Sequence, residues 1–311
     1  MEKINIMTSC NENLVTYIFV QLKSINVHLN DKQVDFYLFY HDISEDSLNT
    51  LEKYSSYLGN INFIRIYIEN IEPYKEIINL SVGSWPVETY FSLECQKYLP
   101  ETIDRILYID AGDVIFCKSI DEYYNHDFFD KYLIGTPIVY NTNKEDLLFY
   151  PEDLMDYDQV QKILFRGIFN SGSYLINLKK FRQKNISLTD YLEVFYNLRK
   201  RFPDKKIIFF GDQGILSLLF IGEITYIKIS PSENIHLFYM PYNCMIGLDP
   251  KISELTGTPK ILHFIKKPWK YPVGIFESEE IFYNYWHVLN RIVCLELSLM
   301  CNSNQKPPSY G

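Results

Sequence analysis

RILYIDAGDVIF, residues 105–116, sets the fold: an apolar run, Arg105 to Ile109, that breaks on two acids, Asp110 and Asp113. Five residues of this kind read as a buried strand. Carboxylates directly at its carboxyl end present hard oxygen ligands suited to Mg²⁺ or Mn²⁺. Gly112 lets the backbone turn, so that side chains three positions apart converge. A plainer reading stands beside this one, in which Asp110 caps a helix and Asp113 decorates a solvated turn.

Outward from that strand, apolar runs alternate with helical spacing. Lys3 to Met7 reads as a strand, TSCNEN as a polar loop and Leu14 to His28 as a helix. Val34 to Tyr40 is a second strand, Ser44 to Tyr57 a helix capped by Ser44, and Ile61 to Ile68 a third strand. A helix around Glu88 to Leu99 leads into the strand at Arg105. This order predicts an α/β fold with a mainly parallel sheet covered on both faces. Ligands bind beyond the carboxyl ends of such strands, which marks the loops at 8–13 and 110–113.

Downstream, Tyr140 to Gln161 is acidic, aromatic and irregular, and reads as a mobile active-site segment. Phe169 to Leu178 resumes as a strand, Leu188 to Phe202 and Gly211 to Phe220 as helices, and Ile224 to Ile229 as a strand. Helical spacing returns from Glu279 to Met300, and the final NSNQKPPSYG reads as disordered.

A net charge of −9 over 311 residues excludes a general attraction to nucleic acid or anionic lipid. The six cysteines lack CxxC pairing and read as reduced structural thiols of a cytoplasmic protein. MEKINIMTSC turns polar too early for a signal peptide, and no stretch approaches the ~20 apolar residues of a spanning helix.

Three further segments follow in order: FNSGSYLINLKKFR at 169–182, GDQGILSLLF at 211–220 and ILHFIKKPW at 261–269. With INIMTSCNENLVTYIFVQLKSI and the LYIDAGD strand they resemble glycosyltransferase family 8, which includes the bacterial lipopolysaccharide glucosyl- and galactosyltransferases and the glycogenins. The resemblance spans roughly residues 3 to 270. It implies a GT-A type nucleotide-diphospho-sugar transferase domain, residues 1–274, followed by a helical extension, 275–311. It further implies a retaining transfer of glucose or galactose from UDP-glucose or UDP-galactose, with Mn²⁺ or Mg²⁺, to a glycan or lipid-linked glycan acceptor.

Residue by residue, the resemblance makes Asp110, Asp113 and His263 the metal ligands. Thr8, Ser9, Asn11 and Asn13 would meet uracil and ribose. Asp110, Gly112, Asn170, Gly172 and Lys267 would complete the donor site, with Lys267 on the diphosphate. Asp212, Gln213 and Lys267 would serve the chemistry, and Asn170, Gly172, Asp212 and Gln213 would line the sugar pocket. Without the resemblance, His263 reads as a core histidine, Lys267 as a snorkelling surface lysine and Asp212 as a helix cap.

The pattern departs from the family at five places. Asn11 stands for an aspartate, Asp-Ala-Gly-Asp for D-x-D, Ser92 for an arginine and Gly214 for the second acid of D-Q-D, and His263 and Lys267 lie only four apart. Two other functions stay open: a catalytically silent nucleotide-sugar-binding protein, and a sugar nucleotidyltransferase, although TSCNEN lacks the glycine and lysine of a triphosphate-gripping loop. The aromatic but poorly basic region after Ile275 predicts at most weak peripheral membrane contact.

Overall fold

The computed structural model describes residues 3–137, 156–227, 238–239, 260–264, 266–271 and 280–303. The strands are β1 (Lys3–Ser9), β2 (Gln33–Tyr40), β3 (Ile61–Tyr67), β4 (Ser81–Val82), β5 (Arg105–Ile109), β6 (Val114–Phe116), β7 (Leu133–Pro137), β8 (Phe169–Asn177), β9 (Phe209–Phe210), β10 (Ile224–Tyr226), β11 (Phe238–Tyr239) and β12 (Ile261–His263). The helices are α1 (Val15–His28), α2 (Glu45–Leu58), α3 (Glu72–Leu80), α4 (Asp121–Tyr124), α5 (Tyr157–Arg166), α6 (Leu178–Gln183), α7 (Leu188–Arg201), α8 (Gly211–Leu219) and α9 (Glu280–Ser303).

Seven strands form one sheet in the order β10-β7-β8-β5-β1-β2-β3. Strand β8 pairs antiparallel with β5 and β7, while every other pairing is parallel. The chain winds from β1 outward through β2 and β3, then returns to place β5 on the other side of β1. That reversal leaves a crevice between β1 and β5, where ligands bind in open α/β sheets. Past the 110–113 turn, β6 leaves the main sheet and pairs antiparallel with β12, which pairs with β11. Val114 lies opposite His263 in this register.

Alternation along the strands supplies a core on each face. Ile4, Ile6, Leu107 and Ile109 point into one apolar layer, and Met7, Ile106, Tyr108 and Tyr174 into the other. Burial on both faces explains why these strands read as unbroken apolar runs. Local signals hold as well: Ser44 caps α2 with its Oγ accepting from the Ser47 amide at 3.3 Å.

Some expectations need correction. The helix expected around Glu88 to Leu99 is a kinked 3₁₀ segment, Val87–Lys97. The irregular stretch expected to run through Gln161 already becomes helical at Tyr157, behind an Asp156 cap, so its last five residues belong to α5; residues 140–155 lie outside the described residues, as do 304–311. Strand β10 ends at Tyr226.

Helix α9 belongs to the core. Tyr283, Trp286 and Leu289 are buried against Val20 of α1, Ile115 of β6, and Leu262 and Phe264 at β12. Farther along, Glu296 accepts from Lys23 at 2.6 Å and from the Tyr54 hydroxyl at 2.7 Å, tying α9 to α1 and α2. No helix among the described residues is long and apolar enough to cross a membrane. Trp286 is 1% exposed and donates from its indole to the Gly112 carbonyl at 3.4 Å. Trp286→Ala should lower the unfolding free energy by about 3–5 kcal/mol in urea titration; a loss below ~1 kcal/mol would show that α9 packs loosely.

Candidate active site

Four pieces of backbone meet at the carboxyl end of β5. Asp110 follows β5, Asp113 precedes β6, His263 ends β12, and Asn170 to Gly172 open β8. Main-chain bonds lock them together: the Asp110 amide donates to the Gly172 carbonyl at 2.9 Å, and the Phe264 amide to the Asp113 carbonyl at 2.8 Å. Gln21, fully buried on α1, clamps the turn from behind, its amide nitrogen donating to the carbonyls of Asp110 at 2.8 Å and Val114 at 2.9 Å.

The turn depends on Gly112, whose φ of +77° is in the left-handed region that side chains resist. A Cβ there would also stand 2.5 Å from the Cβ of Tyr17. By this turn the extra residue of Asp-Ala-Gly-Asp is accommodated, and both carboxylates reach one point. Asp110, Asp113 and His263 each offer a ligand atom within 4.8 Å of the others. The His263 Nε2 lies 3.4 Å from Asp110 Oδ2 and 3.8 Å from Asp113 Oδ2.

The set suits a divalent cation. Asp113 is 3% exposed and its Oδ1 has no hydrogen-bond partner, although a buried carboxylate oxygen ordinarily has one. Two carboxylates and an imidazole match the donor preferences of Mn²⁺. Asn170 orients the imidazole: its Oδ1 lies 3.2 Å from His263 Nδ1 and accepts from the Gly172 amide at 2.8 Å. A proton on Nδ1, the tautomer this contact favours, leaves Nε2 as the ligand atom. The Tyr108 hydroxyl donates to Asp110 Oδ1 at 3.0 Å. Burial pushes the Asp110 carboxyl up, but His263, Lys267 and Tyr108 outweigh it and hold the group below its ordinary range.

Around this centre the other expected residues fall into place unevenly. Lys267 is ion-paired with Asp113. Asp212 lies in the first turn of α8, which Phe210 and not Asp212 caps. Its Oδ1 accepts from the Ser171 hydroxyl at 3.2 Å and its buried Oδ2 has no partner. Gln213 accepts at Oε1 from the Ser171 amide at 3.1 Å and donates to the Arg166 carbonyl, so both ends of its amide hold the scaffold. Thr8 is fully buried and donates to the Ile109 carbonyl at 2.8 Å, which joins β1 to β5 inside the sheet. Ser9 is buried, while Asn11 caps the 3₁₀ turn Glu12–Leu14 by accepting from the Asn13 amide at 3.2 Å, and Asn13 is exposed.

Two glycines have roles that motif comparison conceals. A Cβ on Gly172 would meet the His263 ring at 2.2 Å, so this glycine seats the imidazole. A Cβ on Gly214 would meet the Leu164 carbonyl oxygen at 1.8 Å, so α8 packs against α5 too closely for the acid of a D-Q-D triplet. Sequence reasoning missed Gln21, Tyr108 and Ser171. Tyr108 and Asp110 share a side of one strand by their two-residue spacing, a signal within reach; Gln21 and Ser171 come from distant elements and give none.

Asp212 yields a pH prediction. Burial, reinforced by the negative charge of Asp110, pushes its carboxyl from 3.8 up to about 8. The folded chain therefore keeps a proton that the unfolded chain has released, and stability falls as pH rises from about 4 towards 8. Asp212→Asn removes this contribution. In EDTA, urea unfolding should show a smaller loss between pH 5 and pH 8 for the variant than for the wild type; equal losses would mean that Asp212 titrates as an ordinary carboxyl.

Known proteins share this sequence pattern and this fold. The chain is 22% identical over 302 residues to lipopolysaccharide 1,2-glucosyltransferase of Escherichia coli, covering 92% of this chain and 79% of that protein. It is 24% identical over 229 residues to lipopolysaccharide 1,3-galactosyltransferase of Salmonella typhimurium, covering 66% and 63%. The galactosyltransferase LgtC, solved in complex with donor and acceptor sugar analogues, shares the fold with a TM-score of 0.63 at 20% identity over 99% of both chains. The model of glycosyl transferase family 8 matches residues 5–272. With most of its length inside that match, the chain belongs to glycosyl transferase family 8 and is a glycosyltransferase of the hexosyl-transferring kind.

Proposed function

We propose that this enzyme is a retaining hexosyltransferase that moves glucose or galactose from a UDP-sugar to a hydroxyl of a glycan in cell-surface polysaccharide or lipopolysaccharide assembly, with Mn²⁺. The observation that carries the proposal is the convergence of Asp110, Asp113 and His263 within 4.8 Å at the sheet's crevice. The lipopolysaccharide glucosyl- and galactosyltransferases to which the chain is similar support the class of sugar and acceptor. In this reading residues 1–274 form the transfer domain and 275–311 its helical extension.

A divalent ion held by the three ligands would offset the charge that develops on the diphosphate as the bond to the sugar breaks. The chain's own groups do the rest. Lys267 adds a positive charge beside the same leaving group. Asn170 fixes the face that His263 presents. Asp212, whose buried Oδ2 has no partner within the chain's described residues, can pair with a sugar hydroxyl. Gln213 is an amide already engaged by the scaffold and a poor nucleophile, which favours a front-side displacement. In that step the bond from C1 to the β-phosphate oxygen breaks and the acceptor oxygen bonds to C1 on the same face. The acceptor's proton passes to the departing phosphate.

Calorimetric titration with UDP, in Mn²⁺ and again in EDTA, tests the centre. Binding should require the metal, and Asp113→Asn should fold normally yet lose at least ~100-fold in metal-dependent turnover, a loss on the scale of removing one transition-state contact. UDP binding unchanged by EDTA, or full activity in the variant, would remove the metal centre from the mechanism. A silent binding protein of the same fold would take up UDP-sugar with Mn²⁺ and never release UDP.

The same reading places the enzyme at most weakly on the inner face of the cytoplasmic membrane. Between Glu280 and Ser303, α9 contains one basic side chain besides His287, Arg291. Sedimentation with anionic vesicles at physiological salt should leave most of the protein in the supernatant; near-complete pelleting would reverse this assignment.

A further inference from the structure

We infer that Lys267 is a built-in counter-cation of the Asp113 carboxylate, and that a nucleotide diphosphate draws it away so that a divalent ion can take full hold. The inference rests on the metal-centre and nucleotide-donor reading above, and it adds an order to the binding.

Asp113 is 3% exposed, and a carboxylate so enclosed requires a compensating positive charge. In this structure the charge comes from the chain itself. The Lys267 ammonium is ion-paired with Asp113 Oδ2, an oxygen that also lies 3.8 Å from His263 Nε2. It thus occupies the Asp113 oxygen that faces His263, at the edge of the candidate metal centre. An ammonium and a divalent cation repel one another, so Lys267 competes with an incoming ion for Asp113.

The backbone on either side of Lys267 is held. The Phe264 amide donates to the Asp113 carbonyl at 2.8 Å, the Tyr283 hydroxyl donates to the Lys266 carbonyl at 3.0 Å, and Trp269 stacks on Tyr17 with ring centroids 3.8 Å apart. The Lys267 side chain itself is 37% exposed. Movement is therefore left to its flexible stem, which can swing without disturbing His263. The four-residue spacing from His263 puts the ammonium at this carboxylate.

A cation arriving alone must compete with Lys267 for Asp113 and be repelled by its charge. When a diphosphate arrives as well, its oxygens offer Lys267 a new anionic partner and release Asp113 to the metal. Metal and nucleotide then strengthen one another's binding, with Lys267 as the coupling group. Removing the ammonium should tighten the binding of the bare ion and weaken the dependence on nucleotide.

The test is titration of Mn²⁺, followed by electron paramagnetic resonance of the free ion, on the wild type, Lys267→Met and Lys267→Arg, each with and without UDP. The wild type should bind Mn²⁺ about tenfold more tightly with UDP, within the usual range of coupling between sites. Lys267→Met should bind Mn²⁺ alone about tenfold more tightly than the wild type does, and UDP should then add less. Lys267→Arg keeps the charge and should bind Mn²⁺ alone as weakly as the wild type. If the wild type takes up Mn²⁺ with UDP but Lys267→Met binds the bare ion no more tightly, the counter-cation role is wrong while the metal centre stands. Tightening in Lys267→Arg equal to that in Lys267→Met would equally overturn it. Absence of Mn²⁺ binding in every case, with and without UDP, would remove the metal centre and this inference together.

Discussion

Concentrated negative charge is the constraint around which this site is built. Asp110 and Asp113 follow one another around a single turn at the end of a central strand, and either would be driven towards protonation if left in an apolar crevice. Each is answered by a specific group: the Tyr108 hydroxyl at Asp110 and the Lys267 ammonium at Asp113. Asp212 has fewer such partners and is the carboxyl whose proton affinity rises. Asp110 and Asp212 thus differ in proton affinity because they differ in neighbours.

Holding the turn is the work of elements far apart in the chain. Gln21 reaches it from the first helix and Trp286 from the last, while Tyr17 lies where a side chain on residue 112 would have to go. The last helix also carries Glu296, which binds Lys23 and Tyr54. The segment that looks like an appendage in the sequence is therefore the rear wall of the site, and rigidity at the ligands comes from packing behind them.

Much of this was legible beforehand, for physical reasons that differ by element. Strands buried on both faces announce themselves as apolar runs, so β1, β2 and β5 were located to within one or two residues. Asp110, Asp113 and Gly112 stood out because acids and a glycine interrupt such a run. The antiparallel insertion of β8 was not legible, since strand direction depends on connections and not on the local pattern. Nor was the 3₁₀ character of Val87–Lys97, where Tyr90, Phe91 and Leu93 all face the core at spacings that an α-helix would spread over its surface. The set of residues expected around the donor came from resemblance to the family, which carries residue types across but not their packing. Thr8 and Gln213 show the difference: both stand where the motif puts them, and both use their polar atoms to hold the scaffold.

Gly214 carries the same lesson into the packing of the two helices. The Leu164 carbonyl occupies the space that any side chain there would need, and the contact is between two helices that also share Phe165, Phe210 and the Gln213 bridge to Arg166. An acid at position 214 and this seat for α5 are mutually exclusive states of the protein. A side chain at position 214 therefore requires α5 to move, which couples that position to the packing of the neighbouring helix. A substitution at this position alone will therefore disturb the seat of α5, and only a change that also reshapes the neighbouring helix makes room for it.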